Sequence, residues 1–272
     1  MKDKSFKLPF VALHRLTSDV LPHKPRLKKD KKGSFRRAKA MVIKMNKIAI
    51  ALDGPSGAGK SSLAKEISKR LGIVYLDTGA LYRTVGLYVR RNDVDPHDEE
   101  AVKPLLASLD IDVVIEDGVQ QVYLNGECVG DAIRTPEMSM YASAVSALPA
   151  VRAFLLDTQR GFAHRSSVIM DGRDIGSVVL PDADVKIYLT ASDEVRAMRR
   201  TKELLAKGQS VTFEEVLSDM KKRDHADSTR AVAPAIKPED AITLDNSELD
   251  EEGTVVRALE IIFEKTGWKA GK

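Results

Sequence analysis

The stretch Asp53-Gly54-Pro55-Ser56-Gly57-Ala58-Gly59-Lys60-Ser61-Ser62 carries residues whose types and spacing suit phosphate chemistry. Gly54 through Ser61 fit G-x-x-x-x-G-K-[ST] at every fixed position. Glycines let backbone N–H groups converge on phosphate oxygens, at the positive end of the helix that follows. Lys60 is a mobile point charge able to reach β- and γ-phosphates, and the Ser61 hydroxyl is a hard oxygen ligand suited to Mg2+. The run from Gly54 to Ser62 is therefore a candidate cradle for the phosphates of ATP. A Gly-rich turn could arise without such a role, but here an apolar run precedes it and helical spacing of Leu63, Ile67 and Leu71 follows. The cradle alone does not select a reaction, because kinases, GTPases and motors share it.

Three further segments place charge where phosphates and bases could be held. Ile73-Val74-Tyr75-Leu76 reads as a strand that ends at Asp77-Thr78-Gly79-Ala80-Leu81-Tyr82-Arg83. Arg83 follows a helix start and could clamp a phosphate; taken alone, a Tyr-Arg pair on a helix more often serves surface and packing. Val168-Ile169-Met170 is another buried-strand pattern, ending at Asp171-Gly172-Arg173-Asp174-Ile175-Gly176. A carboxylate there could accept from an exocyclic amine or bind the water shell of magnesium, unless the segment is only a charged turn with an internal ion pair. In Arg223-Asp224-His225-Ala226-Asp227-Ser228-Thr229-Arg230, residues 223, 227 and 230 fall at i, i+4 and i+7. A continuing helix would put them on one face, and in an arbitrary helix that face would simply be solvated.

Taken together, the P-loop, D-T-G-x-x-Y-R, D-G-R-D-I-G and R-D-x-x-D-x-x-R-x-x-x-P strings keep an order and spacing across residues 47–268 that resembles the bacterial cytidylate kinases. The resemblance implies transfer of the γ-phosphoryl group of ATP to CMP or dCMP, giving CDP or dCDP and ADP, with magnesium as cofactor. It implies that Ser143, Arg152 and Asp174 read the base. An Asp–Arg pair offers acceptor and donor to cytosine, whereas uracil would leave the acceptor unpaired. Arg83, Arg173, Arg223 and Arg230 match acceptor-phosphate arginines, with Lys60, Arg173, Arg223 and Arg230 as the catalytic set. Asp227 and Thr78 match the groups that hold the sugar hydroxyls; Thr78 stands where serine is common, which adds a methyl beside the sugar. Arg200 would approach the ATP side from a helix that also carries Arg196 and Arg199.

These side chains need a scaffold. Strands are expected near 47–52, 73–76, 167–171, 185–189 and 241–245, alternating with helices and closed by a helix near 250–265. That is an α/β P-loop NTPase fold, a mainly parallel five-stranded sheet flanked by helices. Residues 111–115 and 121–124 suggest a hairpin pair, and Asn125-Gly126 signals a tight turn into a further short strand. The kinase domain then spans 45–272, with an acceptor-binding insertion at about 78–165 and a helical lid at about 192–232 whose closure excludes water.

The chain's bulk properties narrow the class further. An apolar content of 43% argues against wholesale disorder, and Cys128 as the single cysteine removes intrachain disulfides and cysteine metal clusters. With no apolar run near the ~20 residues of a membrane span, a cytoplasmic protein that does not engage membranes is expected. Residues 1–46 hold 14 Lys and Arg against 3 Asp, so the net charge of +3 conceals a body of −8. Residues 1–44 are read as a basic flexible leader. It is either dispensable, with Met41 or Met45 near the start of the enzyme, or a transit segment, or an RNA-binding tail acting through phosphate attraction. The rivals to a CMP kinase are therefore another small-molecule P-loop kinase acting on UMP or AMP, and a nucleic-acid-binding protein; the absence of an N-K-x-D motif after a strand argues against a GTPase-type switch. A monomer is expected, since no heptad or long apolar face advertises an interface.

Overall fold

A computed structural model describes residues 47–116 and 118–267; the basic segment 1–44, with every role considered for it, lies outside the described residues. Five short strands form one sheet: β1 (Ala49–Asp53), β2 (Val74–Asp77), β6 (Val168–Asp171), β7 (Val185–Thr190) and β8 (Ile242–Asp245). Their order is β2-β6-β1-β7-β8, and every neighbouring pair is parallel. Successive side chains on a strand face opposite ways, and here both faces are covered. Ile50, Leu52 and Ile169 join one apolar cluster, while Ala51, Val168 and Met170 join another. This is why β1 reads as a continuous apolar run rather than an alternation.

The first face packs on α1 (Lys60–Leu71) and α8 (Glu251–Thr266) through Leu63, Ile67, Val255, Ile261 and Ile262. The second face is covered by a π-helical turn at Ile175–Val179 and by Leu156 and Phe162 of α5 (Pro149–Arg165). Between β2 and β6 the chain builds a separate core. There, α2 (Thr78–Arg91), α3 (Glu99–Leu105), α4 (Pro136–Val145) and α5 enclose an antiparallel sheet of β3 (Ile111–Glu116), β4 (Val119–Leu124) and β5 (Glu127–Cys128). Asn125 and Gly126 make the turn between β4 and β5, both with positive φ. A further small core, Ala197, Leu204, Val216 and Met220, joins α6 (Asp193–Ala206) to α7 (Phe213–Thr229).

One element ends earlier than its spacing suggests. A helix continuing through Arg230 would put residues 223, 227 and 230 on one face, but α7 stops at Thr229 and Arg230 has extended backbone, φ −61° and ψ 144°. A proline acts just downstream: Pro234 disfavours helical backbone in the residue before it, and Ala233 has φ 47°. The Arg230 Nε donates to the Ala233 carbonyl at 2.7 Å, which closes the turn.

The parallel arrangement brings three carboxylates to one edge of the sheet. Asp53, Asp77 and Asp171 each end a strand, and Asp77 and Asp171 are register partners across β2 and β6. In open α/β sheets this carboxyl edge is where ligands bind.

Candidate active site

The loop from Gly54 to Gly59 joins the end of β1 to the start of α1. Gly54 has φ 149°, and a Cβ there would lie 2.0 Å from the Leu189 carbonyl oxygen, so only glycine lets the loop pass β7 so closely. Lys60, the first residue of α1, is buried and donates to the carbonyls of Gly54 and Pro55 at 2.8 and 2.7 Å. Burial and the nearby Arg173 guanidinium hold the Lys60 ammonium well below its ordinary pKa, against the attraction of Asp171. A buried cation in that condition gains from an anionic ligand.

Next along α1, the Ser61 hydroxyl donates to the Asp171 carboxylate at 2.8 Å. Tyr75 donates to the other Asp171 oxygen at 2.9 Å. Burial, with the facing Asp77 charge added, pushes the Asp171 carboxyl up. A hydroxyl and a buried carboxylate side by side are hard oxygen donors of the kind magnesium takes. Among the described residues no group of three or more His, Cys, Asp or Glu could hold a metal alone, so a cation here would complete its shell with phosphate and water oxygens.

Four arginines named from the sequence come together across the cleft. Arg173, in the turn after β6, donates through Nε to Asp227 of α7 at 3.0 Å. Arg223, one turn earlier on α7, is half-buried, its buried Nε has no hydrogen-bond partner, and desolvation and Arg173 push its pKa down to about 10. Arg83 of α2 gives one nitrogen to Asp77 at 2.9 Å, and its Nε is likewise buried and unpaired. Arg230 donates to the Ser146 hydroxyl at 2.9 Å and lies 3.5 Å from Asp174. Cations crowded together with orphaned buried N–H groups leave a deficit that a multiply charged anion would fill.

Asp174 sits beside this group, buried, and pairs with Arg152 of α5. Arg152 also donates to the Ser146 carbonyl at 3.0 Å and lies over the Tyr82 ring, 5.7 Å from its centroid. Burial pushes the Asp174 carboxyl up even though Arg152 and Arg230 oppose it. Ser143 of α4 donates to Asp227 at 3.1 Å. At Asp227, burial is outweighed by Arg173, Arg223 and Arg230, which hold its pKa below the usual carboxylate range. Thr78, at the start of α2, donates to the Asp171 carbonyl at 2.7 Å.

The fold thus gathers Lys60, Ser61, Thr78, Arg83, Ser143, Arg152, Arg173, Asp174, Arg223, Asp227 and Arg230 around one carboxyl edge. It does not bring Arg200 there: that side chain pairs with Glu203 at 2.7 Å near the surface. Instead α6 turns Arg196 inward, where it donates to the Ser56 carbonyl and to Asp224, each at 2.6 Å. A cleft of about 330 Å3 opens between Gly54, Pro55, Arg173, Tyr188, Asp224 and Asp227.

The sequence strings include Asp53, Asp171 and Asp224 without giving any of the three a role of its own. The available signal was their position, as carboxylates closing apolar strands or beside a clustered arginine. Among the described residues, no single helix is long and apolar enough to cross a membrane.

The family model for cytidylate kinase matches residues 50–264 of this chain. A cytidylate kinase of Caldicellulosiruptor bescii is 48% identical over 219 residues, covering 80% of this chain and 97% of the relative. One from Carboxydothermus hydrogenoformans is 48% identical, with 79% and 97% covered. One from Rhodococcus opacus is 46% identical, with 81% and 96% covered.

Proposed function

The chain belongs to the cytidylate kinase family, and on that premise we propose that it transfers the γ-phosphoryl group of ATP to CMP or dCMP, giving CDP or dCDP and ADP. The observation that carries the base assignment is the buried Asp174–Arg152 pair beside the crowded arginines. Together the pair offers an acceptor and a donor to the amine-bearing edge of cytosine, with Ser143 alongside. Uracil, with a carbonyl in place of the amine, would leave that acceptor unpaired in a buried site.

Arg83, Arg173, Arg223 and Arg230 hold the acceptor phosphate, and Thr78 and Asp227 the sugar hydroxyls. The cradle and Lys60 hold the donor phosphates, with Arg196 of α6 on the donor side. Magnesium, with Ser61 and Asp171 as its protein-side oxygens, would supply charge neutralisation at those phosphates.

The chemistry asks little of the protein beyond placement. An oxygen of the CMP phosphate forms the new bond to the γ-phosphorus as the bond to the β-phosphate oxygen breaks, and ADP leaves. That attacking oxygen is already anionic, so no strong general base is needed. Catalysis rests on alignment and on cations facing the equatorial oxygens. The helix pair α6–α7, with its own small core, acts as a lid over the cleft and limits wasteful hydrolysis.

An ADP-release assay with Mg·ATP and CMP, dCMP, UMP or AMP tests this reading. CMP and dCMP should turn over far faster than UMP and AMP. Preference for UMP or AMP would overturn the base-reading set but not the phosphoryl transfer. No turnover with any of them would overturn both.

A further inference from the structure

Asp53 ends β1 and directly precedes the phosphate cradle, yet its carboxylate serves the other half of the site. One oxygen accepts the backbone N–H of Ile175 at 2.8 Å, and the other that of Gly176 at 2.7 Å. These are the first two N–H groups of the π-helical turn that begins right after Asp174. The opening N–H groups of a helical turn have no partner within it, and a side chain at the capping position usually supplies one. Here Asp174 stands at that position but makes no side-chain cap. Its carboxylate is committed to Arg152 and Arg230, while its carbonyl takes the N–H groups of Val178 and Val179 at 2.9 and 3.3 Å.

The cap is therefore supplied from a strand 122 residues earlier, and this leaves the Asp174 side chain available to face Arg152. The fit is close. A Cβ on Gly176 would lie 3.3 Å from an Asp53 oxygen and 3.1 Å from the Lys186 Cδ. The arrangement is also costly: Asp53 is 2% exposed, and burial pushes its carboxyl up to about 6 even though the two N–H groups oppose the shift. The groups facing it are Asp174, which adds to the shift, and Lys60, which reduces it.

We propose that Asp53 is a positioning residue for base selectivity: it caps the Ile175–Val179 turn and so fixes the backbone that carries Asp174, tying the base pocket to the root of the donor cradle. The proposal rests on the reading of Asp174 as a cytosine-reading group. It does not make Asp53 a catalytic residue, since it acts through the turn and not on the substrate.

The decisive comparison is Asp53→Asn against Asp174→Asn, with KM for CMP and ATP and the CMP:UMP ratio of kcat/KM measured for each. An asparagine keeps the shape but turns an NH2 toward one backbone N–H, so one of the two capping bonds is lost. Asp53→Asn is expected to raise KM for CMP and lower the CMP:UMP ratio, each by about tenfold, the equivalent of one or two buried hydrogen bonds. KM for ATP should stay within about twofold. An unchanged ratio, or CMP and ATP constants that rise together as thermal stability falls, would make Asp53 merely structural and overturn the inference. If Asp53→Asn does not fold, Gly176→Ala supplies the test by crowding the same clamp, with a fall of about threefold expected in the ratio and no fall overturning the inference. An unaltered ratio in Asp174→Asn overturns the base-reading assignment and the inference with it. An altered ratio in Asp174→Asn beside an unaltered one in Asp53→Asn overturns the inference alone.

Discussion

The Asp224 carboxylate accepts the backbone N–H of Ser56 at 2.8 Å, so a side chain from α7 occupies an amide of the phosphate cradle. Arg196 completes the contact by donating to both the Ser56 carbonyl and Asp224. A carboxylate here sits against the same kind of donor that a phosphate oxygen requires. On the proposed reading of the cradle as the donor site, a phosphate oxygen taking the Ser56 N–H would displace Asp224 and so couple ATP binding to α7.

Asp224→Asn removes the competing charge while keeping a similar shape. The variant is expected to bind ATP about fivefold tighter, close to 1 kcal/mol. Calorimetric titration of wild type and variant checks this. Weaker binding would mean that Asp224 assists the donor instead of competing with it.

Lys60→Met should abolish transfer, with a loss of at least about a thousandfold in kcat, because the donor phosphates lose their central cation. The fold should survive. Lys60 is a buried cation held below its ordinary pKa by burial and Arg173, so its removal relieves a cost and the melting temperature should stay level or rise. Near-normal turnover in this variant would sink the proposed role of Lys60.

Arg223→Met sets stability against activity at a single position. The wild-type side chain is half-buried, its buried Nε lacks a partner and Arg173 crowds it, so an apolar replacement should raise the melting temperature by about 2–4 °C. Activity toward CMP should fall at least about a hundredfold. Inorganic phosphate should stabilise wild type more than the variant, measured by thermal melts with and without phosphate; equal shifts would argue against an anion at Arg223.

Asp53 gives a pH signature whose sign follows from its raised pKa. The folded protein keeps a proton up to about pH 6, whereas the unfolded chain releases it near the ordinary 3.8. The unfolded state binds fewer protons between those values, so the contribution of Asp53 to stability is fully present below pH 3.8 and is lost as pH rises through 6. Relative to Asp53→Asn, wild type should lose on the order of 3 kcal/mol across that window. Denaturant unfolding of both proteins at about pH 4, 5, 6 and 7 checks it, and a flat difference would place the folded-state pKa near the unfolded one.

Much of the architecture was legible because it is written locally. The five strands of the parallel sheet, the cradle between β1 and α1, and the Asn125-Gly126 turn each follow from a few adjacent residues and their backbone preferences. Helix ends were less legible: α7 breaks at Thr229 because the chain beyond it turns at Ala233 and Pro234. The inward choice of Arg196 over Arg200 was also hidden, since both lie on a basic helix and only the docking of α6 decides which faces the cradle.

By itself the sequence determined which residues could bind phosphate and base, since the motif strings hold fixed residue types at fixed short spacing. Only the tertiary structure decided how they act together. Ser61 meets Asp171, Ser56 meets Asp224 and Asp53 meets Ile175 across separations of 110, 168 and 122 residues. Periodicity reports the face a residue takes within its own element, but these meetings depend on the strand order β2-β6-β1-β7-β8 and on parallel register. That order follows from the collective burial of both sheet faces, a property of the whole chain that no local run of residues carries.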